Sequence, residues 1–354
     1  MNIATKKTNR TMKIPFLHFD NNVLNDCLQQ IEAIRKTSDI IAICPTPTGY
    51  SWLGVQVATL SLFPNCTFQI PQEYSNQTLT DSQLNAIATT ISDLNYKQVI
   101  FSGFLPYYAK IAESLKSPIL VKVIYHGFLS ELSGNAKQIE AFRGLLSFVS
   151  DKKVAAIGCV KGGLALSLSK MLGVKTCEII LPNRFVADDI LPKTEEINIG
   201  CMVNTAFRKN IHNQAVASML VAESTLHVFT TDELSYLPQD RIRYHSLMPH
   251  GEFVGLLSKM AINLHVTFSE SWGQVLAESI SQGVPCLSAY TSSFFDYDDD
   301  LKQKLIVDGF DDSWHIYKKI EEVLQNRDAI ARQCLAYAKK LNVLAEEKLN
   351  EFLG

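Results

Sequence analysis

Short runs of β-branched and apolar residues alternate with amphipathic stretches along this chain, and the alternation restarts after residue 196. In the first half, DIIAIC (39–44), KQVIFSG (97–103), ILVKVIYHG (119–127), KVAAIGC (153–159) and CEIILP (177–182) have the composition of strands. Helical spacing falls between them at 22–36, 52–62, 81–95, 107–116, 136–149 and 162–172. In the second half the strands are INIGCMV (197–203), LHVFTT (226–231), RIRYHS (241–246), INLHVTF (262–268) and PCLSA (285–289). Helices fit 210–223, 251–260, 272–282, 313–326 and 328–352. Near-continuous apolar strands, each followed by a helix, belong in parallel sheets covered on both faces. The segment LPNRFVADDILPKTEE (181–196), with two prolines and no clean period, reads as the linker between the halves. The expected architecture is therefore α/β, with two Rossmann-like, doubly wound domains facing across a cleft. Ligands in such sheets bind beyond the carboxyl ends of the strands, so the cleft is the expected site.

Composition narrows the function classes. A chain of 354 residues exceeds one ordinary core, and 47% hydrophobic against 19% charged residues suffices for two. A net charge of −3 gives no basic footprint for nucleic acid, so no nucleic-acid partner is expected. No apolar run approaches the ~20 residues of a membrane span. The opening MNIATKKTNRTMK reads as a flexible polar tail without a signal peptide. The eight cysteines are scattered, with no CxxC, and read as buried thiols of a reducing compartment rather than zinc ligands. The expectation is a cytoplasmic protein, with peripheral contact at the inner face of a membrane left open. Nothing in the sequence sets the oligomeric state.

The most informative stretch is INLHVTFSESWGQVLAESISQGVPCLSAY (262–290). A buried strand ends near Phe268, a short turn follows, and a helix begins near Gly273 or Gln274. Free N–H groups and the positive end of the helix dipole then face the space beyond the strand, an anion site suited to a diphosphate. Gly273 allows close approach of backbone. Glu270 in the turn and Glu278 in the helix have seven residues between them and line one cleft at two depths. Carboxylates accept paired hydrogen bonds from vicinal diols, and a nucleotide sugar carries two diols with a diphosphate between them.

This segment resembles the C-terminal domain of the retaining glycosyltransferases with two Rossmann-like domains, the GT-B type (group 1, family 4-like). That family has a Glu-x7-Glu motif, which reads here E-SWGQVLA-E-SISQGVPCL. IILPNRF (179–185), INIGCMV (197–203), RKN (208–210) and the run YHSLMPHGEFVGLLSKMAINLHVTFSES (244–271) are also similar to family segments. The likeness covers about residues 180–290. It implies that Glu270 holds sugar hydroxyls and that Glu278 binds the ribose diol. Trp272, Gly273 and Gln274 would offer backbone N–H groups, and Ser269, Val275 and His250 would line the donor pocket. Lys209, with Arg208 as the alternative, would neutralise the leaving diphosphate, and His126 would contact sugar or acceptor. No metal and no cofactor are implied beyond a nucleotide-sugar co-substrate, UDP- or GDP-linked. The acceptor would be a glycan, a lipid-linked group or a protein, in cell-surface polysaccharide or glycoconjugate synthesis. The domains implied are 13–187 on the acceptor side, 188–330 for the nucleotide sugar, and a helix at 331–354 crossing back to the first domain.

The chain departs from the family pattern at two points. Asn204 stands where the family has an arginine, and PTPTGYSWLG (45–54) offers only Gly49 and Gly54. A non-catalytic partner of an active glycosyltransferase therefore stays open beside the enzyme, with an epimerase of related fold as a third class. Other signals are weaker. VKGGLALSLSK (160–170) lacks the GxGxxG spacing and reads as a helix entry. DYDDD (296–300) reads as a solvated acidic loop. His227 and His265 alternate with apolar residues and read as structural.

Overall fold

The computed structural model describes residues 21–47, 52–71, 79–151, 154–190, 196–230 and 233–354. The N-terminal tail, Gly49 and part of the linker lie outside these residues. The first unit holds a six-stranded parallel sheet. Its strands are β1 (Ile40–Pro45), β2 (Thr67–Ile70), β3 (Gln98–Ser102), β4 (Leu120–Tyr125), β5 (Ala156–Cys159) and β6 (Thr176–Glu178), in spatial order β2-β1-β3-β4-β5-β6. Helix α1 (Asn21–Arg35) precedes them, and α2 (Leu53–Leu62), α3 (Asp81–Asp93), α4 (Pro106–Ser114), α5 (Ala136–Ser150) and α6 (Gly162–Leu172) separate them.

The second unit holds β7 (Ile197–Cys201), β8 (Ser224–Val228), β9 (Ile242–Tyr244), β10 (Ile262–His265) and β11 (Cys286–Ser288), in order β11-β10-β7-β8-β9. Helices α7 (Ile211–Leu220), α8 (His250–Leu257), α9 (Gln274–Ser281), α10 (Asp299–Leu305), α11 (Ser313–Gln325) and α12 (Arg327–Leu353) complete it. Both sheets are the doubly wound parallel sheets expected. Their interior strands are buried on both faces, as in the fully buried run Ile41–Cys44.

Two elements escaped the sequence pattern. Strand β2 is a four-residue edge strand, and α10 forms inside what reads as an acidic loop. Asp298 caps α10 by accepting from the Leu301 N–H at 3.0 Å, while Asp296 pairs with Lys302 and Asp300 with Lys304. The acidic run is thus the start of a helix with complementary lysines in its last turn.

Strand order reverses between β1 and β3 in the first sheet, and between β7 and β10 in the second. Chains leaving adjacent strands toward opposite faces open a crevice at such a point. Helix α12 ties the units together. It starts on the second unit, where Arg327 donates to Ala261 O at 3.3 Å, and ends on the first sheet. There the Lys122 ammonium, 4% exposed, donates to Phe352 O at 2.9 Å and Leu353 O at 2.7 Å. Those are carbonyls of the last turn, which a cation satisfies well. A Cβ on Gly158 would lie 2.6 Å from the Ile179 side chain and 3.3 Å from the Phe352 ring, so β5 seats both elements only as glycine.

Candidate functional site

The loops after β7 and β10 lie side by side because polar side chains bind them together. Asn210 adopts the left-handed conformation (φ 53°). Its amide donates to Val266 O at 3.1 Å and to Phe310 O at 2.6 Å. Buried Gln214 donates to Lys209 O at 2.8 Å and accepts from the Val266 N–H at 2.8 Å. The Phe268 N–H in turn donates to Arg208 O at 2.8 Å. This network places the short 3-10 turn Phe207–Lys209 beside the SESWG turn. Asn204 does not stand in for an arginine in the cleft: its side-chain oxygen accepts from the Ala206 N–H at 3.1 Å.

Glu270 is the centre of the arrangement and is 8% exposed. Its Oε2 accepts from Lys209 Nζ at 2.5 Å and from His265 Nε2 at 3.1 Å, with Arg208 at 3.8 Å. Its Oε1 accepts from the Ser271 N–H at 3.1 Å. Burial alone would raise the Glu270 carboxyl, but Lys209 and His265 more than reverse this and hold it far below the usual carboxylate range. Burial lowers the His265 pKa, and because the Glu270 carboxylate only accepts, the proton of their contact sits on His265 Nε2. The sequence reading has Glu270 presenting acceptors to sugar hydroxyls. In the structure both oxygens already have protein donors, so the residue also organises the basic pair.

Gly273 is the N-cap of α9 with φ 90°. An added Cβ would come 3.3 Å from the His265 ring, so the position needs glycine for conformation and for space. Among the described residues the Trp272 and Gly273 N–H groups make no backbone hydrogen bond. They sit at the helix end that favours negative charge. The Trp272 ring is 1% exposed and packs edge-on against Phe294 at 5.0 Å. Trp272 contributes backbone to the site and its ring to the core. Val275 packs with Met202 and Leu257 beneath the helix start.

Glu278 lies one helical turn further along α9, where its Oε1 is 2.7 Å from His250 Nε2. The hydrogen bond to Glu278 raises the His250 pKa against the effect of its burial. The two line a cavity of about 40 Å³ together with Val57 and Ala58 of α2 and Asn183 of the connecting segment.

The first unit closes over this site through several contacts. Lys161 Nζ donates to Glu270 O at 2.8 Å and to Thr291 O at 2.7 Å. Gln274 donates to Gly54 O at 2.6 Å, and the hydroxyls of Ser130 and Ser269 share a hydrogen bond. The Arg208 guanidinium lies over the Phe128 ring at 5.5 Å. Glu131, just beyond, is raised by burial, lowered by Arg208 and raised again by Glu270, so it faces the same cluster. His126 follows β4 at the mouth of the first crevice, and burial holds its pKa down to about 4. Three cations thus gather on Glu270, Lys209 and Arg208 at its carboxylate and Lys161 at its backbone carbonyl.

No family model and no curated protein matches the chain. Solved structures do match. HepE of Anabaena, in complex with UDP and glucose, superposes with a TM-score of 0.62 at 12% identity, over 88% of this chain and 99% of that one. Sucrose-phosphate synthase from Thermosynechococcus elongatus gives 0.59 at 12%, over 88% and 96%. WaaG, a glycosyltransferase involved in lipopolysaccharide biosynthesis, gives 0.61 at 13%, over 89% and 100%. This chain has the GT-B fold. The likeness extends over both units and nearly the full length of each neighbour, so it concerns their mutual placement as well as each sheet.

On the GT-B frame, the residues singled out in the sequence separate into groups. Glu270, Lys209, Arg208, Ser269, Trp272, Gly273 and Gln274 come together at the β7/β10 reversal, with Glu278 and His250 beside them. His126 belongs to the facing crevice. Three residues of the site were missed. His265 was read as structural, although its place at the carboxyl end of β10 was a usable signal. Lys161 and Glu131 carried no signal, because they meet the site only when the two GT-B units face each other. His227, by contrast, is held by neighbouring polar groups, with His245 at 3.0 Å and Asn198 at 3.0 Å. Among the described residues no helix is long and apolar enough to cross a membrane.

Proposed function

We propose that the protein is a glycosyltransferase that moves a sugar from a UDP- or GDP-linked donor to a glycan, lipid-linked or protein acceptor, with retention and without a bound metal. The observation that carries the reading is the set of Arg208, Lys209 and the N-terminus of α9 at one switch point, with Glu278 one helical turn along α9. A nucleotide sugar carries its charge in the middle and a diol at each end, which matches cations flanked by Glu270 and Glu278. The second unit takes the donor and the first the acceptor.

In this reading the bond from the anomeric carbon to the diphosphate breaks as the acceptor hydroxyl bonds to that carbon on the same face. The departing diphosphate keeps the electron pair and receives the hydroxyl proton. Lys209, Arg208 and the helix end stabilise the charge that develops on it, which supplies the main catalytic effect. Glu270 fixes the ammonium of Lys209 before the donor arrives, so little reorganisation accompanies the step. Glu278 exchanges its His250 partner for the ribose diol.

Calorimetry with UDP-glucose and GDP-mannose on the wild type and on Glu278→Ala tests the site. Binding to the wild type that is lost in the variant supports it, and equal affinity for both removes Glu278 from the donor site. Asn204, bound to its own loop rather than offering a cation, favours the second reading of a non-catalytic partner. Donor hydrolysis without acceptor, measured by release of nucleoside diphosphate, separates the two.

A further inference from the structure

The 3-10 turn Leu129–Leu132 of the first unit lies against Arg208. Phe128 caps the turn and takes the Arg208 guanidinium on its ring at 5.5 Å. Ser130 shares its hydrogen bond with Ser269. The Glu131 N–H donates to Phe128 O at 3.1 Å, so Glu131 is fixed within one turn of both contacts. Its carboxylate is half-buried and, among the described residues, makes no hydrogen bond and no ion pair. Glu270 and Glu278 nearby each have a donor. Burial raises the Glu131 pKa, and of the surrounding charges Arg208 acts on it most strongly and lowers it, ahead of Glu270 and Lys209. The Tyr125 phenol also feels Glu131, but burial pushes its pKa up to about 12 and it stays neutral. An unpaired carboxylate taken partly out of water costs stability and returns none to the fold. Its place opposite Arg208 gives it another use.

We infer that Glu131 is a specificity-determining residue that sets a fixed negative charge across from the diphosphate seat, and so favours a nucleotide sugar over the free nucleoside diphosphate. The choice of ligand rests on the function proposed above; the placement of the carboxylate does not. Loss of the sugar turns an esterified phosphate into a free terminal one, which carries about one more negative charge at neutral pH. Arg208, Lys209 and the end of α9 attract every such charge, so alone they hold the product more tightly than the donor. Glu131 repels the same charges from the opposite wall. Its effect grows with the charge of the ligand, so it falls hardest on the product. A half-buried wall screens such an interaction less than open water does. The carboxylate also competes for Arg208 while the seat is empty, which weakens both ligands alike.

Calorimetry at neutral pH without divalent cations, with UDP, UDP-glucose, GDP and GDP-mannose on the wild type and Glu131→Gln, reads the role. Both members of whichever pair binds are expected to bind the variant more tightly, the diphosphate gaining about fivefold more than its sugar conjugate. Glu131→Asp keeps the charge and is expected to keep the wild-type ratio of the two affinities. A merely structural role would move both affinities together and leave the ratio alone. An unchanged ratio in Glu131→Gln, or weaker binding of the diphosphate to it, overturns the inference. The placement is read separately by carbon NMR of the Glu131 carboxyl in the full chain, assigned by loss of its signal in Glu131→Gln. Its titration is expected to move to higher pH in Arg208→Gln, and an unmoved titration overturns the placement. No binding of any of these nucleotides to either protein, with the titration as expected, overturns the functional reading and the choice of ligand with it, while the placement stands.

Discussion

The ammonium of Lys209 sits 2.5 Å from Glu270 Oε2, on a carboxylate that is itself nearly sealed from solvent. The pair joins the loop after β7 to the loop after β10, the two segments that leave the second sheet on either side of its reversal. It therefore serves the fold and the cleft at once, and substitutions at either end report on both.

Glu270→Gln removes the charge that Lys209 and His265 share. Breaking one side of a buried pair leaves the other uncompensated, and a loss of about 3 kcal/mol is expected. The folded carboxyl lies below the unfolded value of about 4.3. Its stabilisation is thus fully present above the unfolded value and is lost as pH falls through the folded one. Urea unfolding at pH 7 and at pH 3 checks this: the gap between wild type and variant should be wide at the first and narrower at the second.

The His250–Glu278 pair has the opposite sign. Hydrogen bonding to Glu278 raises the histidine above its ordinary value near 6.5, so its stabilisation is complete below that value and is lost as pH rises through the folded one. The pair is partly exposed, so the effect is small. His250→Gln should lower the melting temperature slightly at pH 5.5 and leave it unchanged at pH 9. A larger difference at pH 9 would contradict the assignment.

Lys161→Met tests closure. Its ammonium holds two backbone carbonyls of the second unit, and charge-assisted bonds of this kind are worth about 2 kcal/mol each. The methionine keeps the stem and loses both bonds. A larger radius of gyration in solution scattering and faster hydrogen exchange in the SESWG turn are expected, with the melting of each sheet little changed.

How far the sequence reveals these relations depends on their range. The alternation of buried strands and helices was legible because a parallel sheet demands it locally, strand by strand. The turn from Phe268 to Gln274 was legible for the same reason, since strand, glycine and helix start lie within a few residues. Strand β2 was not, because four residues at a sheet edge leave little pattern. Helix α10 was hidden by its aspartates, whose value as caps and first-turn charges shows only once the helix is known. Lys161 and Glu131 depend on distances set by topology, and no spacing along the chain encodes them.

Lys122→Met tests whether α12 fastens the units. The ammonium caps the last two carbonyls before the chain end and lies 5.5 Å from the Phe352 ring, and burial lowers its pKa. Methionine fills much of the same volume but offers no donor, so both carbonyls lose a partner. One is buried and the other half-buried, which should cost about 1–3 kcal/mol. Gln98 still reaches Leu353 O at 3.1 Å and Lys175 reaches Glu351 O at 3.0 Å, so the helix is expected to fray rather than detach. Hydrogen exchange should rise over the final two turns and stay at the wild-type level near Arg327, where Ala261 holds the helix start. Uniform exchange along α12 would show that its end on the first sheet is held by apolar packing of Phe352 alone.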